Sequence, residues 1–376
     1  MRTKNISIVF PPSEFIKEEM DARGWNNAYL AEIMGCAPSL ISQLVNGKSV
    51  TPAIARKLGE SFGTSPYLWM NLQSTYDLEQ LDASDNAVAK RARLYSDFPV
   101  KDMIKRGWIE ATSEIEVLEK SVLAFFGISS LDEQPSLVHA ARKSTSYADV
   151  TPAQTAWLFR AKQLAKAVMV SARYSEPRFK DALAGLKAIL PNPEEIRRIP
   201  RILADAGVRL VLIESLPATR IDGVAFWLDK HSPVIALSFR YDRVDNFWFT
   251  LLHECYHVLS KHGQDVPIID TDLVGEGAQA TTEKPKEEQE ADAFASEFLV
   301  KKIDLDKFIA RIHPYFYKAR IVVFAERMQV PPGIIVGQLH HRKELPPSHL
   351  RDYLVKVRQT IAPSSITDGW GDVVLL

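Results

Sequence analysis

Two histidines four residues apart, His253 and His257, enclose Glu254 inside the run DNFWFTLLHECYHVLSKHG. On an α-helix, residues i and i+4 share a face, whereas on a strand the same spacing holds the two side chains about 13 Å apart. The run has what a helix needs: Asp245 at its start, Gly263 at its end, and apolar Phe247, Phe249, Leu251 and Leu252 ahead of the histidines. The chain must therefore build a helix over 245–263, in a domain whose core buries its apolar side. Two imidazoles on one face can point at one metal ion, the other reading being a surface helix with two fortuitous histidines. Glu254 then projects beside the ion, where it can take a proton from a water and pass it to a departing amine. A zinc ion held by two histidines still needs a third protein ligand and one open position.

This pattern resembles that of zincins of the glutamate class. There the third ligand comes from a second helix, and an acidic or amide residue four further on supports a ligand histidine. Glu288 and Asp292, in the helical run EEQEADAFASEFLV, fit these two places. Glu287 and Glu290 compete with Glu288, but only Glu288 has an acidic partner four residues on. The implied ion is Zn2+, and Mn2+ suits the same donors. Cys255 turns away from the histidine face and reads as packing, and His262 reads as a helix C-cap histidine.

The 376 residues are enough for two or three domains. Two cysteines, Cys36 and Cys255, make no disulfide framework and point to a reducing compartment. The N-terminus lacks the apolar stretch of a signal peptide before Pro11, and no run approaches a membrane span. The expectation is a cytoplasmic protein with no membrane partner.

Residues 13–78 read as short helices closed by glycines. Within them, NAYLAEIMG and PSLISQLVNGK form a helix-turn-helix. Leu30, Ala31 and Ile33 face inward on its first helix, Gly35 makes the turn, and Ile41 and Leu44 face inward on its second. Near the start of the second helix, Pro38, Ser39, Ser42 and Gln43 are exposed, and Gln43 is the best candidate to read a base edge. Asn27, Asn46 and Lys48 suit phosphate contacts. The first 78 residues hold seven basic and seven acidic side chains. Any grip on DNA must then come from local placement, and a helical interaction module stays open as the other reading.

Residues 79–190 read as helical. The runs VRLVLIES, VAFWLD and SPVIALSF read as strands. Residues 264–286 read as a polar loop, a candidate lid or self-cleavage segment. The remainder reads as helical with proline breaks to about residue 360, followed by a loosely held tail.

Residues 11–78 resemble the Xre-type helix-turn-helix of HigA-like antitoxins. Residues from about 195 to 300 resemble the ImmA/IrrE family of zinc metallopeptidases, through LADAGVRLVLIESLP, DGVAFWL, NFWFTLLHECYHVL and EADAFASEFLV. Together they cover about half the chain. The implied fold is mostly α with a small α+β part: a lambda-repressor-like helix-turn-helix bundle (1–78), a helical connecting region (79–190), a zincin-like domain with a short sheet and an active-site helix (191–302), and a C-terminal helical region (303–376). The resemblance implies a transcription regulator that binds operator DNA, and the expectation is a homodimer on a two-fold site. It further implies His253, His257 and Glu288 as metal ligands and Glu254 as the catalytic base. Peptidase-type relatives cleave regulators, and antitoxin-type relatives bind a toxin. Three departures stand out: Tyr256 where many relatives carry a small residue, Asp292 in place of an asparagine, and Val300-Lys301 in place of a following proline. The alternative to an endopeptidase acting on a regulator protein or on itself is an antitoxin whose zincin fold is a non-catalytic module for a toxin or signal.

Overall fold

The computed structural model describes residues 9–80, 87–135, 150–264, 267–274, 285–370 and 372–373. The chain divides into two compact units, Met1–Lys90 and Arg91–Leu376.

The first unit is built on α1 (Pro12–Arg23), α2 (Asn27–Ile33), α3 (Pro38–Val45), α4 (Pro52–Phe62) and α5 (Pro66–Gln80). Local sequence sets the breaks. The Asn26 side chain accepts the Tyr29 N–H at 2.9 Å to start α2, and Thr51 accepts the Ile54 N–H to start α4, with Pro52 behind it. Gly24 and Gly63 end α1 and α4 in the left-handed region. Helices α2 and α3 meet at 117°, the angle of a helix-turn-helix. Ile16, Leu30, Ile41, Leu44, Leu58 and Trp69 fill the core between the helices. Ile33 is not among them. It is 44% exposed, because Ala31 and Met34 occupy the inner face instead.

The helix α6 (Ala87–Asp97) spans the division. The second unit continues with α7 (Val100–Lys105), α8 (Ile115–Phe126), α9 (Pro152–Ala167), α10 (Glu176–Ile189) and α11 (Ile199–Asp205). Strands β1 (Arg209–Ile213), β2 (Ile221–Trp227) and β3 (Pro233–Leu237) lead into α12 (Val244–Leu259). After β4 (Ile268–Thr271) come α13 (Lys286–Leu299), α14 (Lys302–Ile312), α15 (Lys318–Met328), α16 (Pro332–His341) and α17 (Arg358–Ile361), then β5 (Ile366–Gly369) and β6 (Asp372–Val373). The sheet order is β4-β2-β3-β1-β5-β6. β1 pairs parallel with β3 and β5, while β2 runs antiparallel to both β3 and β4.

Two expectations change here. The polar segment 264–286 is not all loop: residues 268–271 form the edge strand β4, and the rest of the segment lies outside the described residues apart from 264, 267, 272–274, 285 and the start of α13. The C-terminal stretch is not loosely held either. Its β5 joins the sheet beside β1, and buried Asp368 on β5 accepts from Arg106, Trp108 and Arg160 at 2.7, 3.1 and 2.5 Å. A buried carboxylate needs such partners to offset its lost hydration.

One core runs from Phe179 to Ile361, across the borders expected at 190 and 302. Helix α12 lies at its centre, packed on β2, β3, α13 and α16. It is buried almost all round, with Trp248, Leu251, Leu252, Cys255 and Val258 in the core. No single helix among the described residues is long and apolar enough to cross a membrane.

Candidate metal centre

Helix α12 carries His253, Glu254 and His257 into the interior, each 0% exposed. The imidazoles meet through their Nε2 atoms at 3.1 Å. Helix α13 packs across α12 and brings Glu288 to the same point: Oε2 lies 3.1 Å from His253 Nε2, and Oε1 lies 3.4 Å from His257 Nε2. One turn along α13, Asp292 Oδ1 lies 3.0 Å from His253 Nδ1. The structure thus brings His253, His257, Glu288 and Asp292 together, and Glu287 takes no place in the group. Glu290 faces elsewhere and accepts the Tyr256 hydroxyl at 2.8 Å. Tyr256 also lies 5.5 Å from the Phe294 ring, so a large residue before the second histidine is used to pack α12 on α13.

A fourth donor comes from β4. Asp270 Oδ2 lies 3.5 Å from His253 Nε2 and 3.8 Å from His257 Nε2, and the residue is 4% exposed. His253, His257, Asp270 and Glu288 each offer one ligand atom, all within 4.8 Å of one another. A tetrahedral ion with donors at about 2.1 Å separates them by about 3.4 Å. The contacts to the two histidines, at 3.1 to 3.8 Å, lie near that spacing, and one ligand atom from each of the four residues falls within 4.8 Å of the others. Two imidazoles and two carboxylates gathered this tightly also need positive charge between them, which a divalent cation supplies. The group could therefore hold a metal ion.

The site's electrostatics separate its carboxylates. Burial, reinforced by the Asp270 charge, pushes Glu254 well above the usual carboxylate range. Burial acts on Glu288 in the same sense, but hydrogen bonds from His253 and His257 outweigh it and hold Glu288 far below that range. Burial pushes Asp270 up. Burial disfavours the charged form of His253, yet Asp270, Asp292 and Glu288 together raise it well above the usual imidazole value. Burial dominates at Glu254, whereas the two histidines dominate at Glu288, so the two carboxylates are shifted in opposite directions. Both oxygens of Glu254 are buried, and Asp270 is a carboxylate facing them. Gly223 on β2 makes the space: a Cβ there would lie 2.2 Å from Glu254 Oε1.

His262 does more than cap the helix. Its Nδ1 lies 3.1 Å from His257 Nδ1, and its carbonyl accepts the Trp227 indole N–H at 2.9 Å. His262 thus meets the His257 ring at the nitrogen turned away from the group, as Asp292 meets that of His253. Cys255 is fully buried in the core, where burial and then the Glu254 charge push its thiol up. Neither role of Asp270 nor that of His262 was legible from spacing. The β-branched pair Ile268 and Ile269 is the one strand signal near Asp270.

In the first unit, Pro38 and Ser39 are exposed in the first turn of α3, Gln43 is exposed, and Ser42 is half-buried. Gln43 Oε1 accepts from Lys48 Nζ at 2.7 Å, and Asn46 Nδ2 donates to the Ser42 carbonyl at 2.8 Å. Asn27 is exposed at the start of α2. All seven candidates lie in or directly after α2 and α3.

Fold and site together define a helix-turn-helix regulator joined to a metallopeptidase-like domain. Comparison with known proteins bears this out. Residues 16–69 match the helix-turn-helix family model, and residues 205–340 match the model of the peptidase M78 family, described as an IrrE N-terminal-like domain. The chain is 36% identical over 72 residues to the uncharacterized HTH-type transcriptional regulator YddM of Escherichia coli, a match covering 19% of this chain and 77% of that one. It is 36% identical over 66 residues to antitoxin HigA-1 of Vibrio cholerae, covering 17% of this chain and 63% of the antitoxin. It is 33% identical over 72 residues to virulence-associated protein A' of Dichelobacter nodosus, covering 19% and 63%. The chain belongs to the HTH-type transcriptional regulators and carries, behind that module, a segment that matches the peptidase M78 family.

Proposed function

We propose that this protein binds an operator as a homodimer and that its second unit is a zinc-dependent endopeptidase acting on a regulator protein or on itself. One observation carries the enzymatic part: Glu254 sits fully buried next to the histidine pair, and the missing side chain of Gly223 on β2 leaves its carboxylate the room that a base there needs. His253, His257 and Glu288 would hold the ion, and Mn2+ suits the same donors. A bound Zn2+ would supply Lewis acidity toward a peptide carbonyl and a nucleophile at neutral pH. Glu254 takes the proton of the attacking water and delivers it to the departing amine. Asp292 holds the His253 ring through Nδ1. In the first unit, Gln43 reads a base edge, with Pro38, Ser39 and Ser42 beside it, and Asn27, Asn46 and Lys48 meet phosphates.

The match to antitoxin HigA-1 favours a second reading, a regulator whose zincin fold is a non-catalytic module for a toxin or signal. One assay separates the two. Zinc-loaded full-length protein is incubated with a proteome-derived peptide library, and new N-termini are read by mass spectrometry. Cleavage that disappears in Glu254→Gln, with zinc retained, supports the peptidase. A library left intact by wild type and by Glu254→Gln alike favours the second reading.

A further inference from the structure

A hydrolytic zinc site keeps one position free of protein, yet four protein donors converge here. The fourth, Asp270, comes from neither helix of the motif. Its Oδ2 is buried and faces the two imidazole nitrogens at 3.5 and 3.8 Å. Across the β2–β4 ladder, Asp270 stands opposite Gly223, the residue whose missing side chain leaves room for Glu254. Paired residues put their side chains on one face of a sheet. Asp270 therefore enters the same space as the proposed base.

The strand carrying Asp270 has a consequence of its own. β4 lies antiparallel on the edge of β2, pairing Val224 with Ile269 and Ala225 with Ile268. An extended peptide binding by strand addition beside Glu254 would need that same edge. Just beyond Asp270, the chain is clamped. Arg240 Nη1 reaches Asp272 Oδ1 at 2.7 Å, and Arg240 Nη2 donates to the Val274 carbonyl at 3.2 Å. Asp222 Oδ2 accepts the Leu273 N–H at 2.8 Å, and Arg240 Nε pairs with Asp222 Oδ1 at 3.0 Å. Arg220 adds a longer contact to Asp272 at 3.4 Å. None of these clamp residues belongs to the donor group.

We propose that Asp270 is a fourth metal ligand and that β4 holds the peptidase site closed, as a built-in strap latched by Asp222 and Arg240. This rests on the peptidase reading for its purpose, but not for its geometry. The occupant that must displace the strap is an extended peptide, which would add to β2 in its place. Only molecules with the strap open would admit a ligand at the metal. A competent state populated at about 1% weakens apparent ligand affinity about a hundredfold.

The test uses full-length protein loaded with Co2+, whose visible spectrum reports coordination, titrated with acetohydroxamate as the probe. Wild type should keep its spectrum through the titration. Asp270→Ala should have a changed starting spectrum and bind the probe saturably. Arg240→Gln leaves every donor in place and guards against a misfolded Asp270→Ala; it should keep the wild-type spectrum and bind the probe about a hundredfold more tightly. Ready binding of the probe by wild type overturns closure. So does an Asp270→Ala spectrum identical to that of wild type, or loss of the metal from Asp270→Ala while Glu288→Ala retains it. If the spectra behave as expected but neither opened variant cleaves the peptide library, the strap stands and the peptidase reading falls.

Discussion

The helix-turn-helix and the metal centre solve opposite problems. In the first unit, chemistry sits on the outside of two short helices: Pro38, Ser39 and Gln43 are exposed while Ile41 and Leu44 make the core. In the second unit, chemistry is inside the core, where His253, Glu254, His257, Asp270 and Asp292 are all buried. A surface reader needs only a rigid bundle behind it. Buried ionisable groups need each other, and a bare cluster of this kind is costly to fold unless opposite charge joins it. The first unit should thus be indifferent to metal, and the second should depend on it.

Metal removal tests that contrast with the largest effect. Zinc at a thousand times its dissociation constant adds about 4 kcal/mol to a fold that binds it only when native. Chelation should lower the thermal transition of the second unit and leave that of the first in place, as read by calorimetry. A single transition shifted as a whole would mean that the two units do not melt separately. Leu44→Ala makes the converse cut. Leu44 is fully buried, and its truncation should cost about 3 kcal/mol in urea unfolding of the first unit, with metal content unchanged.

Next in size is Gly223→Ala. The added methyl meets the Glu254 carboxylate, and overpacking of this kind costs about 2 kcal/mol. Unfolding in urea should show this loss together with lost peptide cleavage. An unperturbed variant would mean that Glu254 has room to move, against its tight seat beside β2. Gln43→Ala should weaken binding to a selected duplex about tenfold and relax specificity at one base, whereas Lys48→Ala should weaken all duplexes alike. A gel-shift series at fixed salt separates the two.

How much of this was legible in the sequence follows from the same contrast. The helix-turn-helix is local: its caps at Thr51, its glycine stops and its apolar spacing lie within a few residues of what they determine. Two positions were misplaced: Ser42 is half-buried rather than exposed, and Ile33 is exposed because Leu30 and Ala31 of α2, with Met34 just after it, face the core. His253, Glu254 and His257 were equally legible, because one helix carries all three. Glu288 and Asp292 needed the i, i+4 relation on a second helix. Asp270 was invisible for a physical reason: a four-residue edge strand in a polar stretch has no period of its own, and only its pairing with β2 places it. The C-terminal β5 escaped likewise. Ile366–Gly369 gains its strand character from β1 beside it and from the arginines that meet Asp368.

The smallest expected effect concerns the two thiols. Cys255 is fully buried with its thiol pushed up, while Cys36 is partly exposed. Native protein should release one equivalent with a disulfide reagent, and a second only on unfolding. Two fast equivalents would show that the core around α12 opens readily.

The most direct measurement is the metal content of the purified full-length protein under zinc-replete conditions, wild type beside His257→Ala and Glu288→Ala. About one zinc per chain in the wild type, lost in both variants, is the outcome that His253, His257 and Glu288 require as ligands. No metal in the wild type, or full occupancy in both variants, would contradict a metal centre between α12 and α13.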